Sequence, residues 1–121
     1  MPFQYILANL LAYNDGAIAV IFLDETGETV DLACAESTPY QMKITGAYLG
    51  IYLRQMEACL DGAGVGPPKI LHIEKDDQHF YAASLPDGYY LVLVQKSPGL
   101  VGRARATLLD ACDELTREIF T

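Results

Sequence analysis

The sequence predicts an α+β fold in which helices cover a five-stranded antiparallel sheet, in the order α-β-β-α-β-β-β-α. Gly, Pro, Asn and Asp residues divide the chain into eight segments with helical or strand-like apolar spacing. The last three strand-like segments are joined by turns too short for a crossover helix, so they must be antiparallel neighbours. Of the 121 residues, 51% are hydrophobic and 20% charged. This is enough apolar material for one core, and we expect residues 1–121 to form a single domain.

The first three segments predict a helix followed by a hairpin. Residues 2–13 have apolar side chains at helical spacing, and the Asn-Asp-Gly sequence at 14–16 suits a helix C-terminus. Residues 17–23 form a continuous apolar run rich in β-branched side chains, typical of a strand buried on both faces. A turn at 24–27 then leads to residues 29–35, whose alternating apolar positions indicate the second strand of the hairpin.

The middle helix has the clearest start signal in the chain. Thr38, Pro39 and Gln41 match a capping box with proline at the first helical position. The pattern predicts a helix over residues 40–60, which ends at the Gly- and Pro-rich residues 61–68.

Three strands and a helix complete the prediction. The strand-like runs are residues 69–74, 80–85 and 89–95. Ser97 and Pro98 then resemble an N-cap and a first helical residue, so we expect the last helix to begin there. Its apolar stripe comprises Val101, Ala104, Leu108, Ala111, Cys112, Leu115 and Ile119.

Charge and composition exclude several classes of function. The net charge is −8, which repels nucleic acid and anionic membrane surfaces. No apolar run is long enough to span a bilayer, so we expect no membrane insertion. The N-terminal residues lack the pattern of a secretory signal, and three cysteines without a CxxC motif fit a reducing compartment. We therefore expect a cytoplasmic protein.

The middle helix is apolar nearly all the way round, although one side of a helix on a sheet should face water. A second copy of the same helix would cover the other side, which predicts a homodimer. Gly46 and Gly50, four residues apart, would let the second backbone approach closely. The alternative is that long tyrosines lie along the surface with their hydroxyls in water. The residues of the helix predicted to form the interface are Tyr40, Ile44, Gly46, Ala47, Tyr48, Gly50, Ile51 and Tyr52.

Signatures of catalysis are absent from the sequence. It contains no phosphate-binding glycine loop, no zinc-protease motif and no nucleophile elbow, so we expect neither an enzyme nor a bound cofactor. The Cys34, Cys59 and Cys112 side chains occupy apolar positions and are predicted to be small buried hydrophobes.

His72 and His79 flank a tight acidic turn and could face each other across a hairpin. With Glu74 or the nearby aspartates, such a pair could bind a transition metal. We favour the simpler interpretation of two solvent-facing histidines and predict no metal site.

Arg103 and Arg105 lie in the first turns of the last helix, where positive charge is electrostatically disfavoured. They are candidates for contact with an acidic partner or a phosphate. The alternative is a solvated helix start.

Taken together, the element order and local sequence resemble the roadblock family, the relatives of the dynein roadblock light chains. The matching features are the helix ending in NDG, the hairpin AIAVIFLDETGETVDLA, the long apolar helix, the KILHIE/FYAASL/YYLVLVQ strands and the helix that follows SPGLVGRAR. The resemblance spans residues 3–120, and it implies a dimer in which the middle helices pack together and the third strands pair edge to edge. The corresponding strand residues are Lys69, Leu71 and Ile73.

The resemblance also implies a function: roadblock domains bind and regulate Ras-like small GTPases, or act as adaptors. Longer bacterial activators carry a C-terminal tail that has no counterpart after the last predicted helix. We therefore expect GTPase binding more firmly than activation.

Two other functions remain open at this point. Profilin-, longin- and PAS-like domains share the predicted architecture, and some hold a small molecule against the sheet. The side chains that could line such a pocket are Tyr48, Tyr52, Tyr81, Tyr89 and Tyr90. A small hydrolase or transferase that uses His72 or His79 is the more distant alternative.

Overall fold

The predicted order of helices and strands is confirmed by a computed structural model, which describes residues 3–35 and 38–120. The α+β architecture is the expected one. The elements are α1 (Gln4–Tyr13), β1 (Ala17–Leu23), β2 (Thr29–Cys34), α2 (Pro39–Ala63), β3 (Leu71–Glu74), β4 (Gln78–Ser84), β5 (Tyr90–Lys96) and α3 (Val101–Phe120). Residue Pro2, where the first helix was expected to begin, lies outside the described residues.

The five strands form one antiparallel sheet in the order β2-β1-β5-β4-β3. All seven residues of β1 are buried, as their continuous apolar run predicts. Strand β1 pairs with β5 on one side, for example through Val20 and Leu93, and with β2 on the other. Strands β2 and β3 are therefore the two edges of the sheet.

Helices cover both faces of this sheet. On one face, α1 and α3 pack over a core that contains Phe22, Tyr81 and Leu93. On the other face, α2 packs alone, with Leu49 and Leu53 against Ile21 and its neighbours. No helix among residues 3–35 and 38–120 is both long and apolar enough to cross a bilayer.

The two ends of α2 illustrate what local sequence specifies. At the start, the Thr38 hydroxyl accepts a hydrogen bond from the Gln41 backbone N–H at 3.3 Å, and Pro39 occupies the first turn, as predicted. At the end, the helix continues three residues beyond Leu60 and stops where Gly64 adopts a left-handed conformation with φ of 73°. The N-terminal part of the Gly-rich segment is thus helical.

Two predicted boundaries are wrong for tertiary reasons. Strand β3 begins at Leu71 because pairing with β4 starts there, so Lys69 precedes the strand. Helix α3 begins at Val101 and not at Ser97-Pro98, which form a turn with a cis peptide bond. The Ser97 N–H donates to the Asp77 carbonyl at 3.0 Å, which ties this turn to the turn between β3 and β4.

Candidate functional site

The outward face of α2 carries six of the twelve exposed large hydrophobic side chains of the described residues. Tyr48 is 57% exposed and Ile51 is 48% exposed, although both lie in the middle of a long helix. The exposed large side chains of this helix are Tyr40, Ile44, Tyr48, Ile51, Tyr52 and Met56. Large contiguous apolar patches are uncommon on the surfaces of monomeric proteins, and they often mark interaction sites. Among the helix residues predicted for the interface, Tyr40, Ile44, Tyr48, Ile51 and Tyr52 are therefore available for contact, and Ala47 is half-buried beside them.

The patch continues across a shallow groove onto the edge of the sheet. Ile44, Tyr48 and Tyr52 line its helical side, and Ile73 of β3 and Phe80 of β4 line the other. Ile73 and Phe80 are directly paired across the two strands. Leu71, two residues before Ile73, packs in the same apolar cluster.

The edge of β3 is open. Its only neighbour in the sheet that the structure describes is β4, which leaves one row of backbone N–H and C=O groups available to another strand. Leu71 and Ile73 lie on this strand, as the sequence suggested, whereas the exposed Lys69 lies before it. We call the outward face of α2 together with strand β3 the α2/β3 surface.

Gly46 and Gly50 of α2 face the chain's own sheet and not a second helix, contrary to expectation. A Cβ atom on Gly46 would lie 3.2 Å from Ile21 Cγ2, and a Cβ on Gly50 would lie 1.9 Å from the Tyr90 hydroxyl. Both residues are buried against the chain's own sheet. The expectation that they admit a second backbone is wrong: they allow α2 to approach its own strands.

The two candidate arginines have different surroundings. The Arg103 Nε–H donates to the Tyr13 carbonyl at the C-terminal end of α1, where a positive charge is favourable. Arg103 thus joins α3 to α1. Arg105 is exposed and lies close enough to His72 to act on its charge. The structure therefore gives Arg103 an internal partner and leaves the Arg105 side chain at the surface.

The histidine pair is not solvent-facing, contrary to expectation. His79 is only 4% exposed, His72 is half-buried, and His72 Nε2 lies 2.9 Å from His79 Nδ1. Burial lowers the pKa of His72, and the neighbouring His79 and Arg105 lower it further. The Glu74 carboxylate has the opposite effect and raises this pKa. The pair lies on the sheet face opposite to α2, because both rings stack on Tyr81.

The three cysteines have three different environments. Cys112 is buried as predicted, and desolvation raises the pKa of its thiol to about 12. Cys34 is half-buried, and burial raises its pKa as well. The prediction of a buried side chain is wrong for Cys59, which lies on an exposed position of α2.

The five tyrosines proposed for a ligand pocket do not converge. Tyr81 and Tyr90 are buried on opposite faces of the sheet. Tyr89 stacks on Phe22 with ring centroids 5.5 Å apart, and Tyr48 and Tyr52 project from α2. No single cavity of the described residues is lined by this set.

Met56 of α2 was not among the residues predicted for the interface. Phe80 of β4, which borders the α2/β3 surface across the groove, was not predicted either. It was placed correctly in a strand, but its side of the sheet depends on the strand register. Pairing Ile73 with Phe80 across the short 75–78 turn would have put both side chains on one face.

The fold is shared with solved structures of roadblock proteins. A Roadblock/LC7 domain from Streptomyces avermitilis superimposes with a TM-score of 0.86 at 11% identity, covering 97% of each chain. MglB from Myxococcus xanthus gives a TM-score of 0.86 at 16% identity, covering 98% of this chain and 94% of that one. A further MglB structure, described with a tetrameric arrangement, gives 0.86 at 16% identity over 96% of this chain and 86% of that one. The chain therefore has the roadblock fold, as the sequence predicted.

No protein-family profile matches the sequence, and no curated protein is similar enough in sequence to count as a relative.

Proposed function

We propose that this chain is a non-catalytic, homodimeric interaction module that binds and regulates a Ras-like small GTPase. The observation that carries the proposal is the α2/β3 surface, where an exposed apolar helix lies beside an open strand edge in a roadblock fold. This surface supports the homodimer in the proposal. The GTPase is the part supported by the resemblance of the whole chain to the roadblock family.

A second copy is the occupant that best fits the α2/β3 surface. A two-fold axis would place helix against helix and strand β3 against strand β3, so each half of the surface would meet its own equivalent. The backbone groups of one edge strand are complementary to those of another in antiparallel pairing. The tetrameric arrangement of an MglB structure is consistent with self-association of this fold.

The distribution of charge supports the same assignment. The chain contains 16 acidic residues, yet residues 39–56 of α2 include no Asp and no Glu. Two copies of a chain with net charge −8 repel each other in general. A helix face without carboxylates avoids burying that repulsion where the two copies of α2 meet.

The GTPase partner would bind outside the dimer contact, with Arg105 as the exposed candidate contact. In this proposal the dimer biases the conformation of the GTPase's own switch segments and supplies no catalytic side chain. The three free thiols among the described residues fit a reducing compartment, and the proposal places the protein in the cytoplasm as a single domain over residues 1–121.

Affinity capture in two nucleotide states tests the GTPase proposal. The immobilised protein is incubated with lysate of the source organism containing GDP or a non-hydrolysable GTP analogue, and bound proteins are identified by mass spectrometry. We expect a Ras-like GTPase enriched in one of the two states. An Arg105→Glu variant serves as a matched bait with the same α2/β3 surface.

Recovery of partners that are independent of nucleotide and include no GTPase would overturn the GTPase proposal. It would leave an adaptor of the same fold. A purified GTPase identified in this way is then assayed for hydrolysis with and without the chain, which determines the direction of regulation.

A further inference from the structure

The structure assigns a second site, on the sheet face opposite to α2: we propose that His72, Glu74 and His79 bind a divalent transition metal of the zinc class. This inference goes beyond the proposed function. All three side chains belong to one protomer, so the site does not depend on dimerisation.

Strand geometry brings the three side chains together. His72 and Glu74 are two residues apart on β3, so both side chains project from the same face of the sheet. Glu74 is paired directly with His79 on β4, and His72 is the diagonal neighbour of His79. The hairpin between β3 and β4 therefore presents two imidazoles and one carboxylate on a single face.

The donor atoms already have nearly the separations that a metal requires. His72 Nε2 and His79 Nδ1 are 2.9 Å apart, and one donor atom from each of the three residues lies within 4.8 Å of the others. Zinc–nitrogen bonds of about 2.0–2.1 Å in tetrahedral geometry put two ligating nitrogens roughly 3.3 Å apart. A metal between these rings would replace the proton that they share, with a small outward movement of the nitrogens.

The imidazole rings are held in place by neighbouring side chains. Tyr81 stacks on His72 with centroids 4.4 Å apart and on His79 at 6.0 Å. The Tyr81 hydroxyl donates to Gln95 Oε1 at 3.4 Å, and Gln95 Nε2 donates to the Asp15 carbonyl at 3.1 Å. Stacking on a tyrosine that is itself held by Gln95 restricts the orientation of both imidazole rings.

The donor set selects the class of ion. Imidazole nitrogens suit Zn²⁺, Cu²⁺ and Ni²⁺, whereas Mg²⁺ and Ca²⁺ require oxygen ligands. Glu74 is exposed, and an open groove lined by Glu74, Asp76 and His79 adjoins the site. A fourth ligand, such as water, can therefore enter from solvent. The acidic Asp76 favours a cation here, and the nearby Arg105 opposes it.

A bound ion would connect β3 to β4. Strand β3 has only four residues and lies at the edge of the sheet, so a link between His72 and His79 would stabilise the part of the sheet with the fewest strand contacts. We expect the metal to raise the melting temperature of the protein in a concentration-dependent way.

The test uses the full chain, with purification tags removed and metal stripped by a chelator. Because the exposed Cys59 thiol is itself a metal ligand, all proteins carry Cys59→Ser. Co²⁺ is titrated while visible absorption is recorded, and Zn²⁺ is then used to displace it. We expect one ion per chain, a spectrum of four- or five-coordinate Co²⁺, and loss of that spectrum on addition of Zn²⁺.

The variants His72→Gln and Glu74→Gln remove ligands that are not fully buried, and circular dichroism verifies that each variant folds. We expect each to weaken Zn²⁺ binding about tenfold or more. The matched control, Asp76→Asn with Asp77→Asn, removes more negative charge from the same hairpin but leaves all three ligands, and we expect less than about a threefold effect. The proposal is overturned if no stoichiometric binding occurs, if His72→Gln binds like the parent, or if the control variant loses binding equally.

Discussion

The Tyr90 hydroxyl occupies the space directly beneath Gly50, so a Cβ atom on residue 50 would lie only 1.9 Å from the Tyr90 oxygen and 2.1 Å from Cζ. Helix α2 crosses β5 at this point, and the absence of a side chain on Gly50 is what allows the close approach. The Arg54 guanidinium lies 5.3 Å from the centre of the same Tyr90 ring, one turn further along the helix.

Replacing Gly50 with alanine should therefore destabilise the fold. The new methyl group has no space unless Tyr90 or the helix moves, and overpacking of this kind costs about 3 kcal/mol. The free energy of unfolding, measured by urea denaturation at fixed protein concentration, checks this value. Gly62→Ala is the matched control, because it lies in the same helix and a Cβ there meets nothing within 4 Å. We expect the control to be neutral or stabilising by up to about 1 kcal/mol. Equal stability of the two variants would contradict the packing described for Gly50.

A charge on the outward face of α2 should dissociate the proposed dimer. Ile51→Asp places a carboxylate on the outward face of α2. The first eighteen residues of this helix, residues 39–56, contain no Asp and no Glu. In sedimentation velocity, the parent protein should have twice the 13.3 kDa mass of one chain, and the Ile51→Asp variant should have the mass of one chain. The control is Leu100→Asp, which changes a residue that is 67% exposed and lies just before α3. If Ile51→Asp remains a dimer, or if Leu100→Asp dissociates as well, the α2/β3 surface is not the interface.

Arg103 and Arg105 of α3 should differ in their effects on stability. Arg103→Ala removes the hydrogen bond to the Tyr13 carbonyl and should lower the free energy of unfolding by about 1 kcal/mol. Arg105→Ala removes an exposed cation near the N-terminal end of a helix and should change stability by less than about 0.5 kcal/mol. Thermal denaturation of both variants distinguishes them. A stability loss confined to Arg105→Ala would refute the assignment of Arg103 as the residue that joins α3 to α1.

Thiol reactivity should follow burial. The pKa of Cys112 is raised to about 12, so almost no thiolate is present at neutral pH, and the folded structure also blocks access to the sulfur. We expect Cys112 to remain unmodified by an aromatic disulfide reagent in the native protein and to react after denaturation. Cys59, which is exposed on α2 of the single chain, is the internal reference, and both rates are measured in the Ile51→Asp variant, where the α2/β3 surface is free. Mass spectrometry of the labelled peptides gives the two rates, and comparable rates would show that α3 does not bury Cys112 as described.

The sequence predicted the elements well because their signals are local. A capping threonine, a proline in the first turn and a left-handed glycine act within a few residues of the helix ends, and the start of α2 is where Thr38 and Pro39 place it. The start of α3 was misplaced because Ser97 and Pro98 have the composition of a helix start, while the structure places them in a turn after β5, where the Ser97 N–H bonds to the Asp77 carbonyl.

The sites were harder to predict because they depend on distant residues. The spacing of Gly46 and Gly50 shows that a close approach is possible, but not which surface approaches. The surface that approaches is Ile21 for Gly46, and for Gly50 it is Tyr90, forty positions later in the sequence. Likewise, the sequence suggested that His72 and His79 face each other, but their burial depends on the rings' stacking against Tyr81. Periodicity identifies which residues are apolar, and the register of the sheet determines which of them meet.

The position of β1 in the sheet has a consequence for synthesis on the ribosome. Val20 in β1 pairs with Leu93 in β5, so this central pair forms only after roughly 70 further residues have been translated. At a rate of about 5–20 residues per second, the interval lasts several seconds. During that time the nascent chain carries the uncharged run AIAVIFL with only the β2 side of its hairpin available for pairing. Such an apolar, uncharged segment has the composition of an aggregation-prone strand, and its second edge stays unpaired until β5 emerges.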